Sequence, residues 1–384
     1  MRHFFASTVT PSRNAFPQSG ICVKSQRMSK DLTSRIISMM HGPSAGLEKG
    51  APISPPIVST AKYKLPGLPD TPYTYGRDIN PTVEAAEAAL SALEDAPCVA
   101  FPSGMAAITA ALMVLTKSGD LVLLPSDGYF VTRALMSEIF EPRGVHVDLQ
   151  PTRAYADMSF EGFDLVWLET PSNPGLDVCD LSACAARLKV AGAKSVVDNT
   201  TLTPFLQRPL DEGIDVVVSS DTKALAGHSD VLFGHVASRD EAVISGLKQW
   251  RSHSGSIPGP FEAFLVHRGL MSAEVRLQRM CTNADAVQRR LKAELPVLNA
   301  LKQVKFPGLG FIMGLSFETA EIADRFIETC PVIFPSTSFG GVHTSAERRE
   351  RWGDPVAAGY VRLSIGCEPE AALVDAVMTS LQSL

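Results

Sequence analysis

Two stretches decide the fold: Ser195-Val196-Val197-Asp198-Asn199-Thr200, and Asp215-Val216-Val217-Val218-Ser219-Ser220-Asp221-Thr222-Lys223. Each is a short β-branched run that ends in polar residues. A run of that length, apolar on both sides, reads as a strand buried on both faces, and its polar tail as the strand's carboxyl end. Working outward, similar runs occupy residues 121–124, 164–168 and 232–237. Helix-like stretches lie between most of them, such as 105–115 and 181–190. Strands alternating with helices predict an α/β fold with a mainly parallel sheet flanked by helices. Ligands of such sheets gather beyond the carboxyl ends of the strands.

Asn80-Pro81 is a strong helix start, an N-cap followed by proline at the first helical position. Val83, Ala86, Leu90 and Leu93 then fall on one face. Residues 28–40 read as a short amphipathic helix, and the Gly-, Pro- and Ser-rich residues 42–72 as an extended arm. Past residue 240 the texture changes. A helical region over 249–295, broken at 255–260, precedes strand candidates at 310–317 and 360–364 and a last helix near 369–381. The expected division is a tail and arm over 1–60, a first domain over 61–240, and a smaller α+β domain over 241–384.

The 384 residues suit two domains, and 45% hydrophobic with 20% charged residues is the composition of a globular chain with a sizeable core. A net charge of −6 argues against a dedicated nucleic-acid binder. No apolar run approaches the ~20 residues of a membrane helix. Seven scattered cysteines without a C-x-x-C pair suggest neither a metal site nor a disulfide framework. A reducing cytoplasm is the expected compartment. Residues 1–27 carry Arg2, Arg13, Lys24 and Arg27 and no acid. That composition fits a transit peptide, a disordered tail, or a chain whose start is Met28.

Four strand ends carry polar groups. Ser103-Gly104-Met105 opens a helix whose free N–H groups suit a phosphate, although an ordinary N-cap looks the same. Glu169-Thr170-Pro171-Ser172-Asn173-Pro174 reads as a loop. Asp198, an acid ending an apolar strand, needs a partner, which a helix cap or an ion pair could supply. Lys223 taken alone is a loop lysine. Taken together, a strand-end Asp and a strand-end Lys 25 residues later are the two protein groups that pyridoxal phosphate requires. The lysine attaches the cofactor covalently, and the acid keeps the ring nitrogen protonated. Ser103, Gly104, Ser220 and Thr222 would then hold the phosphate.

At this point the chain resembles the Cys/Met-metabolism family of fold type I pyridoxal phosphate enzymes. The matching blocks, in order, are Tyr75-Gly76-Arg77-Asp78-Ile79-Asn80-Pro81-Thr82, Ser103-Gly104-Met105-Ala106-Ala107, the 169–174 loop and Val197-Asp198-Asn199-Thr200. They continue with Ser220-Asp221-Thr222-Lys223, Gly227-His228-Ser229-Asp230, Arg268-Gly269-Leu270, Ser338-Phe339-Gly340-Gly341 and Val361-Arg362-Leu363-Ser364-Ile365-Gly366. The resemblance implies a transferase-like fold with a seven-stranded sheet, a cofactor domain over 61–240, and a homotetramer built as a dimer of dimers with shared active sites. It implies that Lys223 anchors the cofactor and acts as the mobile base, that Asp198 pairs with the ring nitrogen, and that Tyr129 stacks on the ring. Gly104, Met105, Ser220 and Thr222 would bind phosphate, joined from the neighbouring subunit by Tyr75 and Arg77. Tyr75 is also a candidate acid–base residue. Arg362, helped by Ser338 and Asn173, would clamp the carboxylate of an amino-acid substrate.

Departures bear on the substrate. Phe130-Val131 stand where the family usually has Gly-Gly, Arg133 is one position short of the family arginine, and Thr337 decides nothing between lyase types. The block from His343 to Arg349, with Arg351-Trp352-Gly353, resembles a bacterial subgroup described as cystathionine γ-lyases. The expected reaction is therefore cleavage of cystathionine at Cγ–S, with β-lyase and γ-synthase as alternatives. A nucleotide-binding oxidoreductase is disfavoured, because neither G-x-G-x-x-G after the first strand nor G-x-x-x-x-G-K-[ST] occurs.

Overall fold

The computed structural model describes residues 30–42, 47–298 and 300–384; the reading of residues 1–27 lies outside them. Seven strands form the larger sheet: β1 (Cys98–Phe101), β2 (Leu121–Pro125), β3 (His146–Gln150), β4 (Leu165–Glu169), β5 (Lys194–Asp198), β6 (Val216–Ser219) and β7 (Gly234–Ser238). Their order is β1-β7-β6-β5-β4-β2-β3, and β7 alone runs against the others. Successive residues point to opposite faces, and in the strands other than the edge strand β3 both faces are buried. Val122, Leu124, Trp167 and Val196 pack toward the helices Gly104–Leu115 and Glu241–Ser254. Leu123, Val166, Leu168 and Val197 pack toward the helix Leu181–Ala191. Burial on both sides explains why these strands read as unbroken apolar runs.

Residues 30–41 form the first helix, and the helix Pro81–Glu94 begins as its sequence predicts. The Asn80 side chain caps it by accepting from the Thr82 amide at 2.9 Å. Between these helices the described part of the arm has little regular structure apart from a single bridge, Lys62 to Tyr75. The helical region past 240 is three helices, Glu241–Ser254, Pro260–Leu270 and Ala273–Glu294. It starts earlier than expected and breaks a second time at Met271-Ser272. Val243, Ile244 and Leu247 of the first of the three belong to the core of the larger sheet.

The second sheet has five strands: β8 (Leu301–Lys305), β9 (Ile312–Phe317), β10 (Phe334–Pro335), β11 (Ser345–Arg348) and β12 (Tyr360–Ser364). Its order is β10-β11-β12-β9-β8, and all pairs except β10/β11 are antiparallel. Among the described residues no helix is long and apolar enough to cross a membrane.

Candidate active site

A cavity of about 430 Å³ opens at the carboxyl ends of β5 and β6 and is closed on its far side by residues 337–339, 349, 352 and 362. That volume suits a small cofactor and substrate. Asp198, the last residue of β5, is buried there. One of its oxygens takes the Thr200 amide at 3.0 Å and the Thr200 hydroxyl at 2.5 Å. The Thr200 oxygen in turn accepts the Ser220 amide at 2.8 Å, which ties the ends of β5 and β6 together. Burial raises the Asp198 pKa, and the Thr200 donors and the Lys223 charge oppose it. The other Asp198 oxygen is given no hydrogen bond among the described residues, and Asp198 lines the cavity.

Lys223 enters from the turn after β6 and donates to Ser338 Oγ at 2.7 Å. Burial, followed by the nearby Arg362 charge, brings its amine down to about 8. Such an amine is still mainly an ammonium at neutral pH, but its neutral, nucleophilic and basic fraction is far larger than that of an ordinary lysine. Ser338 holds a positive φ of 81°, a strained conformation of the kind that clusters at working sites.

Beside β1, Ser103 caps the helix Gly104–Leu115 by accepting from the Ala106 amide at 3.1 Å. The amides of Gly104 and Met105 precede the first intrahelical bond and have no acceptor in the described chain. A Cβ on Gly104 would lie 2.5 Å from that of Ser220, so only glycine lets the two strand ends approach this closely. The Thr222 hydroxyl also lines the cavity, but it exchanges hydrogen bonds with the Phe233 backbone at 2.9 and 3.1 Å.

Arg362, in the middle of β12, faces the cavity from the other sheet. It donates to Asn173 Oδ1, to the Ser338 carbonyl at 3.2 Å and to Glu347 at 2.5 Å. Its Nε is buried and unpaired among the described residues. Burial lowers its pKa to about 10, leaving it cationic at neutral pH. Tyr129 lines the same cavity, and its phenol is pushed up by burial.

The structure thus gathers Lys223, Asp198, Tyr129, Ser103, Gly104, Met105, Ser220, Thr222, Arg362, Ser338 and Asn173 around one space. It does not bring Tyr75 and Arg77 there. Tyr75 is 43% exposed, Arg77 lies over its ring at 5.5 Å, and the Arg77 guanidinium donates to the Ser252 carbonyl at 2.8 Å.

A family model described as Cys/Met metabolism PLP-dependent enzyme matches residues 39–382. The chain belongs to this family. It is 40% identical to a putative cystathionine γ-lyase of Streptomyces coelicolor, over 87% of this chain and 90% of that protein. It is 33% identical to the cystathionine β-lyase MetC of Bacillus subtilis, over 77% and 83%. The solved cystathionine γ-synthase of Xanthomonas oryzae superposes with a TM-score of 0.84 at 30% identity, covering 92% of this chain and 98% of that one. The protein is therefore a pyridoxal phosphate-dependent enzyme of amino-acid metabolism, and its residues fit that cofactor. Asp198 lines the cavity with one oxygen held by Thr200 and the other left for a donor such as a protonated ring nitrogen. Two bare amides at a helix N-terminus suit a phosphate, and the Lys223 amine lines the same cavity.

Sequence reading missed the residues that hold these groups in place. Glu169, at the end of β4, accepts the Tyr129 amide at 2.7 Å and the Asn173 amide at 2.9 Å. It adjoins Asp198 across β4/β5, and burial followed by that charge pushes its pKa well up. Glu347 on β11 stands directly opposite Arg362 and also accepts from Arg349 at 2.7 Å, Trp352 at 2.9 Å and Thr337 at 3.2 Å. Burial works against its charge, but Arg362 and Arg349 hold its pKa below the usual glutamate value. Glu169 heads a block already quoted, which was the available signal. Nothing in a single sequence pairs Glu347 with Arg362.

Proposed function

We propose that the enzyme cleaves the Cγ–S bond of L-cystathionine, consuming water and releasing L-cysteine, 2-oxobutanoate and ammonia. The observation that carries the reading is Lys223, an amine of depressed pKa that shares one cavity with Asp198 and the Arg362 clamp and feels the charge of both. The γ-position is favoured by the block from His343 to Gly353. It contributes Arg349 and Trp352 to the cavity wall and resembles the γ-lyase subgroup.

The cofactor, when bound, supplies an electron sink for the substrate's α-carbon. The chain's own residues do the rest. Asp198 would hold the proton on the ring nitrogen, Tyr129 would cover the ring face, and the Gly104 and Met105 amides with Ser220 would hold the phosphate, joined by Thr222 once its hydroxyl turns from the Phe233 backbone. Arg362, steadied by Asn173 and Ser338, orients the α-carboxylate so that the Cα proton faces Lys223 Nζ. Lys223 takes that proton, a second leaves Cβ, and the sulfur departs from Cγ as cysteine thiolate. Tyr75 and Arg77 would act in the site of a neighbouring subunit, Arg77 on phosphate and Tyr75 as an acid–base group. This reading also takes the assembly to be a homotetramer with shared sites and its compartment to be the cytoplasm.

Incubating the holoenzyme with cystathionine and identifying the keto acid tests the reading. 2-Oxobutanoate supports γ-cleavage. Pyruvate would mean a β-lyase, and no keto acid from cystathionine, with cystathionine formed instead from an activated homoserine ester and cysteine, would mean a γ-synthase.

A further inference from the structure

His235 lies in β7, fully enclosed, and no step above uses it. Its Nδ1 is 2.8 Å from Asp221 Oδ1 and its Nε2 is 3.3 Å from Glu94 Oε1. Both carboxyl groups are as buried as the ring. A neutral imidazole has one N–H and can satisfy only one of them. Its other nitrogen would then point a lone pair at a carboxylate oxygen, in a place with no exposure to water. Both contacts are favourable when both ring nitrogens carry protons, and the two carboxylates raise the imidazole to about 10 against the effect of burial. The Cys98 thiol on β1, pushed up by burial and then by Glu94 and Asp221, adds no charge. Glu87 and Arg251, which bind the Ala100 backbone beside His235, form an ion pair with each other.

The cluster lies directly behind the cofactor-facing turn. Ser220, Thr222 and Lys223 line the cavity, whereas Asp221 between them points to the opposite side. The Asp221 carbonyl accepts the Ala226 amide at 2.9 Å, which closes the turn. His235 itself is fixed in the sheet between Ser219 of β6 and Ala100 of β1. Glu94 ends the helix Pro81–Glu94, and its carbonyl accepts from Arg35 of the first helix at 3.4 Å. One ring therefore joins the end of a helix, the reversed strand and the lysine-bearing turn.

We propose that doubly protonated His235 is a positioning residue, which clasps Asp221 to Glu94 and so fixes the turn that presents Ser220, Thr222 and Lys223 to the cofactor. The proposal rests on the cofactor site but not on the choice of substrate. A carboxylate clasped by a cation holds its own backbone, and a buried carboxylate that has lost its cation must move or take up a proton.

The test uses the holoenzyme with His235→Asn, Asp221→Asn and the double variant. Pyridoxal phosphate affinity is measured by equilibrium dialysis well below the melting temperature of each protein. Each single change should weaken cofactor binding about tenfold or more, the scale of losing one coupled contact. The double variant should be no worse than the poorer single one, because the two residues act as a unit. At saturating cofactor the substrate KM should stay within about twofold of the native value, since Arg362 and Asn173 are untouched. Native cofactor affinity in folded His235→Asn would overturn the proposal. For the case in which that variant fails to fold, ¹⁵N NMR of the native enzyme at pH 7 is the second measurement. Two protonated ring nitrogens on His235 support the clasp, and a neutral ring refutes it. A native enzyme that takes up no pyridoxal phosphate would instead sink the cofactor reading itself.

Discussion

The two sheets contribute to the cavity in different ways. The parallel strands of the larger sheet place their working groups at or just past their ends, Asp198 as the last residue of β5 and Ser220, Thr222 and Lys223 after β6. The antiparallel smaller sheet places its groups inside strands. Arg362 and Glu347 are direct cross-strand neighbours in the β11/β12 ladder. Groups at strand ends depend on turn geometry, and groups within strands depend on register. A shift of one residue in β11 would turn Glu347 away from Arg362 altogether.

That difference can be tested by breaking each side. The largest effect should come from Lys223→Ala at the parallel side, which removes both cofactor anchor and base. Turnover should fall on the order of 10⁴-fold, at the upper end for a general base, while circular dichroism stays native. Asp198→Ala should lower kcat by at least ~100-fold, the scale of losing one electrostatic partner. Steady-state kinetics at saturating cofactor would expose a retained kcat and force another residue into the role. On the antiparallel side the expected signature is different. Glu347→Ala leaves Arg362 and Arg349 buried without their shared counter-charge, so it should cost about 3 kcal/mol of stability, read from denaturant unfolding. It should also raise KM more than it lowers kcat. A pure kcat effect would mean that Glu347 does not steady the clamp. The smallest effect is one of pH. With its amine near 8, Lys223 is an ammonium below that pH and a nucleophile above it. The rate at which apoenzyme attaches pyridoxal phosphate should therefore rise with pH about a midpoint near 8. Borohydride trapping and peptide mapping would follow that rate at Lys223 itself.

The same contrast explains what could be read in the sequence. β2, β4, β5 and β6 are apolar on both faces, so their runs were visible, and the polar residues closing them led to Asp198 and Lys223. β3, at the edge of its sheet, reads His146-Val147-Asp148-Leu149-Gln150 and is largely exposed or half-buried, so no run announces it. β8, Leu301-Lys302-Gln303-Val304-Lys305, is an edge strand of the same kind. β1 is only four residues long, squeezed between a helix and the Ser103-Gly104 turn. β11 was missed because its charges look like solvated surface until the ladder shows them buried. His235, a single histidine inside an apolar strand, gives no sign in the sequence of the two acids that meet it from residues 94 and 221.

Arg362 is held by Asn173, Ser338 and Glu347 in the chain alone. A long flexible side chain loses up to about 2 kcal/mol of rotamer freedom when it is fixed, and here that loss falls on folding rather than on binding. A substrate carboxylate of three atoms offers few contacts from which such a cost could be recovered. Meeting a guanidinium that is already aimed, it can direct its interaction energy to orienting the bond that will break.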